Sequence, residues 1–116
     1  MKKIYHLGNC STCKRILSEL KLGSDVVLQD IKEEKITAAQ LAEMAKLAGS
    51  YEKLFSRVAM KYRILGLDKM ELKENDYKKY ILEEYTFLKR PTIISGNKIF
   101  IGSTKSTIQE LKKEFK

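Results

Sequence analysis

The first thirty residues place a helix between two strands, and this order constrains the fold more than any other feature. Residues 3–7 predict a short strand, residues 11–20 predict a helix with apolar side chains at helical spacing, and residues 26–28 predict a second, fully buried strand. Two strands joined through a helix lie parallel in one sheet. We therefore expect an α/β protein, and its length of 116 residues suits a single domain.

The middle of the chain, about residues 37–86, is predicted to be a helical insert. Thr37 and Gln40 form a capping-box pattern at the start of its first helix, which is expected to end at Gly49. Three further helices are expected: at residues 51–55, at residues 58–65, and in the segment for which Asn75 is the candidate N-cap.

The last part of the chain returns to strands. Residues 92–94 and 98–101 predict two strands, and the Gly96-Asn97 pair between them is typical of a hairpin turn. A final helix is expected to have one apolar side, formed by Ile108, Leu111 and Phe115. The order is therefore βαβ, a helical insert, then ββα, which predicts a mixed sheet flanked by helices.

The charge of the chain limits the partners that it can bind. Its 23 basic and 15 acidic residues give a net charge of +8, which is explained simply by a solubilising surface but could also suit nucleic acid, an acidic protein or a small oxyanion. The lysines are dispersed rather than interleaved with aromatic residues, so we do not expect direct binding to nucleic acid. No apolar run reaches the ~20 residues of a membrane helix. With no signal-peptide pattern either, we expect a cytoplasmic protein without membrane contact.

The two cysteines form a Cys-x-x-Cys motif at residues 10–13, where the first helix begins. In a chain expected to be cytoplasmic, such a pair after a strand predicts a redox-active disulfide. The helix N-terminus, together with Lys14 and Arg15, would lower the pKa of the Cys10 thiol. Cys13 lies one helical turn further on, so it is the candidate resolving thiol for a nucleophilic Cys10.

Two other interpretations of this motif stay open. A pair of buried, unreactive cysteines would have the same spacing. A zinc site would need more ligands, but His6 is the only histidine and the chain has no third cysteine. We therefore expect no metal.

Pro91 is the only proline of the chain and precedes the predicted strand at residues 92–94. It can be explained simply as a strand boundary. A proline just before a hairpin and a final helix is, however, the layout of thioredoxin-like folds. We therefore predict a cis Arg90–Pro91 bond close to Cys10.

Several segments resemble the arsenate reductase-like family of the thioredoxin fold. This family includes the glutaredoxin-linked arsenate reductases (ArsC), the Spx stress regulators and the YffB proteins. The segments that carry the resemblance are residues 4–6, 10–12, 54–57, 62–67, 88–92 and 101–102. They lie in the family's order over nearly the whole chain, so the resemblance implies a thioredoxin-like fold and thiol chemistry.

The resemblance also implies roles for individual residues. Cys10 stands at the place of the family's nucleophile, and Pro91 at the place of its cis-proline. Arg57 and Arg90 stand where the arsenate reductases hold an oxyanion with two arginines. The other candidates for binding an anion or substrate surround the nucleophile: Ser11, Thr12 and Lys14.

Some positions depart from the arsenate reductases. Where those enzymes have a third arginine, this chain has Ser103-Thr104-Lys105, and Lys14 replaces another common arginine. Cys13 stands where they commonly have serine, and it matches the Cys-x-x-Cys of Spx-type members. We therefore expect weak arsenate reduction and intact thiol chemistry.

We predict a thiol-dependent oxidoreductase in which Cys10 attacks and Cys13 resolves. One alternative is an Spx-like redox-sensing regulator that contacts RNA polymerase, and another is a glutaredoxin-linked arsenate reductase. A further alternative is an oxyanion-binding protein without turnover. No bound cofactor is expected, and glutathione, thioredoxin or another redoxin is the expected electron donor.

Overall fold

A computed structural model describes residues 2–115 of the protein. Within these residues the strands are β1 (Lys2–His6), β2 (Val26–Asp30), β3 (Thr92–Ser95) and β4 (Lys98–Ile101). The α-helices are α1 (Ser11–Glu19), α2 (Ala38–Ala48), α3 (Met60–Ile64), α4 (Glu74–Glu83) and α5 (Lys105–Glu114). Short 3-10 helices lie at Glu52–Leu54, Leu67–Lys69 and Tyr85–Phe87.

The four strands form one mixed sheet in the order β2-β1-β3-β4. Ile4 of β1 lies opposite Leu28 of the parallel strand β2, and opposite Ile93 of the antiparallel strand β3. β3 and β4 form the predicted hairpin, with Gly96 in the left-handed region at a φ of 62°. The α/β class, the parallel first pair and the predicted order of the elements are thereby confirmed.

Helices α1 and α5 pack on this sheet through one apolar cluster. Its buried members come from two strands, from two helices and from the residue that follows each helix: Ile4, Ile16, Leu20, Ile93, Leu111 and Phe115. Ile108 also packs against the cluster, which confirms the predicted apolar side of the last helix. Each large side chain buried in this way contributes about 1.5–3 kcal/mol. The packing therefore holds α1, and with it the cysteine motif, beside β1.

The second strand is not fully buried, and this prediction was wrong. Val27 and Leu28 expose 41% and 51% of their surface, although Gln29 next to them is buried. The physical reason is the position of β2, which lies at the edge of the sheet. A short apolar run is typical of a buried parallel strand, but the run itself does not show whether the strand is central or at an edge.

The chain groups into two compact units. One unit combines the N-terminal segment up to Lys35 with the C-terminal segment from Arg90 onward, and it contains the whole sheet. The other unit is Ile36–Lys89 and contains α2, α3 and α4. That the chain forms one domain stays a prediction.

The helical unit begins with the capping box that the sequence predicts. The Thr37 hydroxyl accepts a hydrogen bond from the Gln40 N–H at 3.1 Å, and the Gln40 side chain accepts one from the Thr37 N–H at 3.1 Å. Gly49 ends α2 in the left-handed region, with a φ of 102°. Gly66 likewise follows the end of α3, with a φ of 71°.

Asn75 does not cap the last helix of this unit. α4 begins at Glu74, so Asn75 lies inside it. The helix start is stabilised instead by Asp76, whose carboxylate accepts a hydrogen bond from the Lys73 N–H at 2.9 Å. A carboxylate in the first turn also interacts well with the positive end of the helix dipole.

None of the helices within residues 2–115 is long and apolar enough to cross a membrane.

Candidate functional site

Cys10 lies where β1 turns into α1. A turn from Leu7 to Cys10 is closed by a hydrogen bond of 3.0 Å from the Cys10 N–H to the Leu7 carbonyl. Cys10 is then the N-cap of α1, because its carbonyl accepts the first helical bond, from the Lys14 N–H, at 3.0 Å. The side chain therefore lies at the helix N-terminus, where backbone N–H groups are free to bind an anion.

The Cys10 thiol is partly exposed and its thiolate is stabilised. Burial disfavours the charged form, but several hydrogen bonds together outweigh this effect. They come from the Cys13 backbone and thiol and from the Thr12 backbone, and the positive charge of Arg90 acts in the same direction. The pKa of the Cys10 thiol is therefore lower than that of an ordinary cysteine.

The Cys13 thiol is fully buried and shifts the opposite way. Burial raises the pKa of the Cys13 thiol to about 11, and the hydrogen bond and negative charge of Cys10 act in the same sense. A backbone hydrogen bond with Leu7 and the charge of Arg90 only partly oppose this rise. In the reduced protein, Cys10 is therefore the thiol that ionises first, and Cys13 is the thiol that stays protonated.

Arg90 and Pro91 come from a part of the sequence that is distant from the cysteine motif. Pro91 precedes β3, and β3 lies next to β1, with Thr92 opposite Tyr5. The Arg90–Pro91 peptide bond is cis, the isomer that the sequence analysis expects. Arg90 is half-buried, and its charge acts on both thiols. The structure thus brings Cys10, Cys13 and Arg90 together, and Pro91 follows Arg90 at the start of β3.

The residues on the first turn of α1 differ in what they contribute to stabilising the Cys10 thiolate. Thr12 acts through its backbone N–H on the Cys10 sulfur, while the Ser11 side chain is exposed. Lys14 and Arg15 are exposed as well. Arg90, which is distant in sequence, supplies the positive charge that lowers the pKa of Cys10. Spacing in the sequence predicts Lys14 and Arg15 for this role instead.

Arg57 belongs to the helical unit and is held there by two partners. Its Nη2 donates to Glu52 Oε2 at 2.9 Å and to the Tyr77 hydroxyl at 3.0 Å. The guanidinium carbon also lies 5.7 Å from the centre of the Tyr77 ring. The side chain is nevertheless 45% exposed, so part of its donor edge faces solvent.

One residue of the site was missed by sequence reasoning. Asp30, at the end of β2, accepts a hydrogen bond from the Gly8 N–H in the turn before Cys10, at 3.1 Å. The available signal was an acidic residue after an apolar strand, because the carboxyl ends of parallel strands meet at one edge of a sheet.

Within residues 2–115, no group of three or more histidine, cysteine or acidic side chains is arranged to hold a metal ion.

Comparison with known proteins decides the family. The model of the ArsC family matches residues 5–111. This chain belongs to the ArsC family. A Haemophilus influenzae protein named arsenate reductase is 26% identical over 111 residues, which cover 93% of this chain and 96% of that protein.

Solved structures agree with this assignment. A Streptococcus mutans UA159 protein described as a possible arsenate reductase is 26% identical, with a TM-score of 0.75 over 96% of this chain and 97% of that one. A Vibrio cholerae arsenate reductase has a TM-score of 0.79 at 18% identity, over 95% of this chain and 96% of that one. The second likeness shows the fold alone, which is the thioredoxin-like α/β architecture.

The start of the last helix carries Ser103-Thr104-Lys105, the segment where the resemblance to the arsenate reductases implied an arginine. Thr104 is the N-cap of α5, and its hydroxyl accepts a hydrogen bond from the Thr107 N–H at 3.3 Å. Ser103, Thr104 and Lys105 are all exposed. None of them is an arginine, so this segment has no guanidinium that could bind an oxyanion in a bidentate way.

Proposed function

We propose that the protein is a thiol-dependent oxidoreductase that reduces disulfides, with Cys10 as nucleophile and Cys13 as resolving thiol. The observation that carries this proposal is the opposite behaviour of two thiols within one helical turn. The pKa of Cys10 is lowered, while burial raises the pKa of Cys13 to about 11. Such a division supplies one thiolate to attack a substrate and one thiol that stays protonated until it is needed.

In the first step, the Cys10 thiolate attacks one sulfur of a substrate disulfide. A Cys10–substrate disulfide forms, the substrate S–S bond breaks, and the leaving thiolate takes a proton from solvent. In the second step, the Cys13 thiol loses its proton and attacks the Cys10 sulfur. The Cys10–Cys13 disulfide forms and the second substrate thiol leaves. The substrate gains two electrons, and glutathione or a redoxin returns the protein to the dithiol.

The second step is assisted by the first. Both the hydrogen bond to Cys10 and its negative charge raise the pKa of Cys13. Once Cys10 is bonded to a substrate sulfur, it carries no charge and accepts the bond only weakly. The pKa of Cys13 therefore falls when its thiolate is required, although burial continues to oppose ionisation.

A turnover panel tests this function. Arsenate, a glutathione mixed disulfide and a protein disulfide are each offered with glutathione or with thioredoxin as electron donor. We expect turnover of at least one disulfide, its loss in Cys10→Ser, and a strong reduction in Cys13→Ser. Full activity of Cys13→Ser on every disulfide would contradict the two-cysteine cycle. Oxidation-dependent binding to RNA polymerase without any turnover would favour the redox-sensing regulator instead.

Arsenate reduction is the second candidate, and two observations favour it. The Haemophilus influenzae relative named arsenate reductase matches nearly the whole chain. Arg90 also places a positive charge close enough to act on Cys10, where a bound oxyanion would need it. Robust arsenate turnover in both the natural protein and Cys13→Ser would favour this candidate and make Cys13 dispensable.

A further inference from the structure

The carboxylate of Asp30 is tied to the turn that carries Cys10. Gly8 lies in the middle of this turn, between Leu7 and Cys10, and its N–H donates to Asp30 Oδ2 at 3.1 Å. Asp30 is the last residue of β2, so this one bond joins the cysteine turn to the end of the neighbouring parallel strand. The bond is charge-assisted, which makes it stronger than a neutral one.

Asp30 is itself held in place. Its Oδ1 accepts a hydrogen bond from the Lys32 N–H at 3.0 Å, the pattern of an Asx turn. The next residue, Ile31, donates its N–H to the His6 carbonyl at 2.9 Å. Both sides of the carboxylate are therefore fixed, one by its own loop and one by the Gly8 N–H of the cysteine turn.

Gly8 is explained by this contact rather than by its backbone angles. The glycines with a positive φ in the described chain are Gly49, Gly66, Gly96 and Gly102. Gly8 is not among them, so its conformation is open to other residues. A Cβ built on Gly8, however, would collide with the Asp30 carboxylate. The glycine therefore serves the close approach between the turn and Asp30.

We propose that Asp30 is a positioning residue for the Cys10 thiol and acts through the Gly8 N–H. This inference rests on the proposed function, because it concerns the same nucleophile. The turn sets Cys10 at the N-cap position of α1, where the backbone of Thr12 and Cys13 lowers the pKa of its thiol. Without the bond to Asp30, the turn samples other conformations and this stabilisation of the thiolate by the backbone weakens.

The direction of the effect separates positioning from simple charge repulsion. Removing a nearby negative charge lowers the pKa of a thiol, because its thiolate is no longer repelled. Losing the hydrogen bonds that favour the thiolate raises the pKa. Positioning and repulsion therefore predict opposite shifts for the same substitution at Asp30.

The test is the rate of Cys10 alkylation against pH, followed by mass mapping, in the full chain. In Asp30→Ala we expect the pKa of Cys10 to rise by about half a unit, so that the alkylation rate at pH values below this pKa falls about threefold. Gly8→Ala should give the same rise, because the added methyl group displaces the carboxylate. The double variant should add nothing further, since both changes remove one contact. Glu33→Ala is the matched control, because it removes an exposed carboxylate of the same loop.

Two results would overturn the proposal. One is an unchanged or lowered pKa of Cys10 in a folded Asp30→Ala protein, and the other is additive shifts from the two substitutions. Gly8→Ala tests the same contact from the opposite side if Asp30→Ala does not fold. An ordinary pKa in the natural protein would contradict the proposed function and the positioning role together, whereas an unmoved, lowered pKa in the variants contradicts positioning alone.

Discussion

At the scale of single residues, the Cys13 thiol acts on Cys10 before any disulfide forms. It donates a hydrogen bond that helps to lower the pKa of Cys10. Cys13→Ala removes the donor, and we expect the pKa of Cys10 to rise by about half a unit to one unit. Cys13→Ser keeps a donor and should produce a smaller rise.

Alkylation of Cys10 against pH measures this contribution. The thiolate is the reactive form, so the rate increases as pH rises through the pKa. A raised pKa therefore moves the whole profile to higher pH. Superimposed profiles for the natural protein and Cys13→Ala would show that the buried thiol does not stabilise the thiolate.

The residues of the site could be predicted from sequence only where chemistry or local spacing identifies them. Cys10 and Cys13 follow from their spacing, and the family resemblance adds Arg90 and Pro91. The bond between Asp30 and Gly8 joins positions 22 residues apart, and neither residue type is diagnostic alone. The partners of Arg57, which are Glu52 and Tyr77, likewise depend on the packing of the helical unit.

At the scale of elements, two similar apolar residues differ in burial because their strands lie at different positions in the sheet. Leu28 on the edge strand β2 is 51% exposed, while Ile93 on the internal strand β3 is fully buried. We expect Leu28→Ala to cost less than about 1 kcal/mol, and Ile93→Ala to cost about 2–5 kcal/mol, because it leaves a cavity in the core. Urea unfolding of both variants measures the difference, and equal losses would contradict the edge position of β2.

The helical unit offers a second matched pair. Thr37 caps α2 through its hydroxyl, whereas Asn75 lies inside α4 on an exposed position. Thr37→Ala should lower the free energy of unfolding by about 1 kcal/mol. Asn75→Ala should leave it unchanged or raise it by a few tenths of a kcal/mol, because alanine has the higher helix propensity. A larger loss at Asn75 than at Thr37 would restore Asn75 as a cap.

The elements themselves were largely predictable, because each has a local cause. Alternation and apolar runs gave the strands, and the capping box at Thr37 and the left-handed glycines gave the helix ends. The exposure of β2 was not predictable in this way, since it depends on which strand lies beside it. The start of α4 was misplaced because Asp76 reaches back to accept a hydrogen bond from the N–H of Lys73, the N-cap residue, a role that composition alone does not distinguish from that of Asn75.

At the scale of the whole molecule, we expect the net charge of +8 to favour anionic substrates over neutral ones. Long-range attraction speeds the association of anions, and salt screens it because the Debye length falls from about 30 Å at 0.01 M to about 10 Å at 0.1 M. Over this range we expect kcat/KM for anionic oxidised glutathione to fall about threefold or more, and that for neutral hydroxyethyl disulfide to stay within about twofold. Equal salt dependence for both would mean that the net charge does not steer the substrate.

The order of attack, Cys10 first and Cys13 second, is tested most directly by trapping the intermediate. The natural protein, Cys13→Ser and Cys10→Ser are each mixed with one equivalent of a glutathione mixed disulfide and analysed by mass mapping. We predict a glutathione or substrate adduct on Cys10 in Cys13→Ser, and an internal Cys10–Cys13 disulfide, with the loss of two hydrogens, in the natural protein. Adduct formation on Cys13 in Cys10→Ser at the natural rate, or a persistent adduct in the natural protein, would contradict this order.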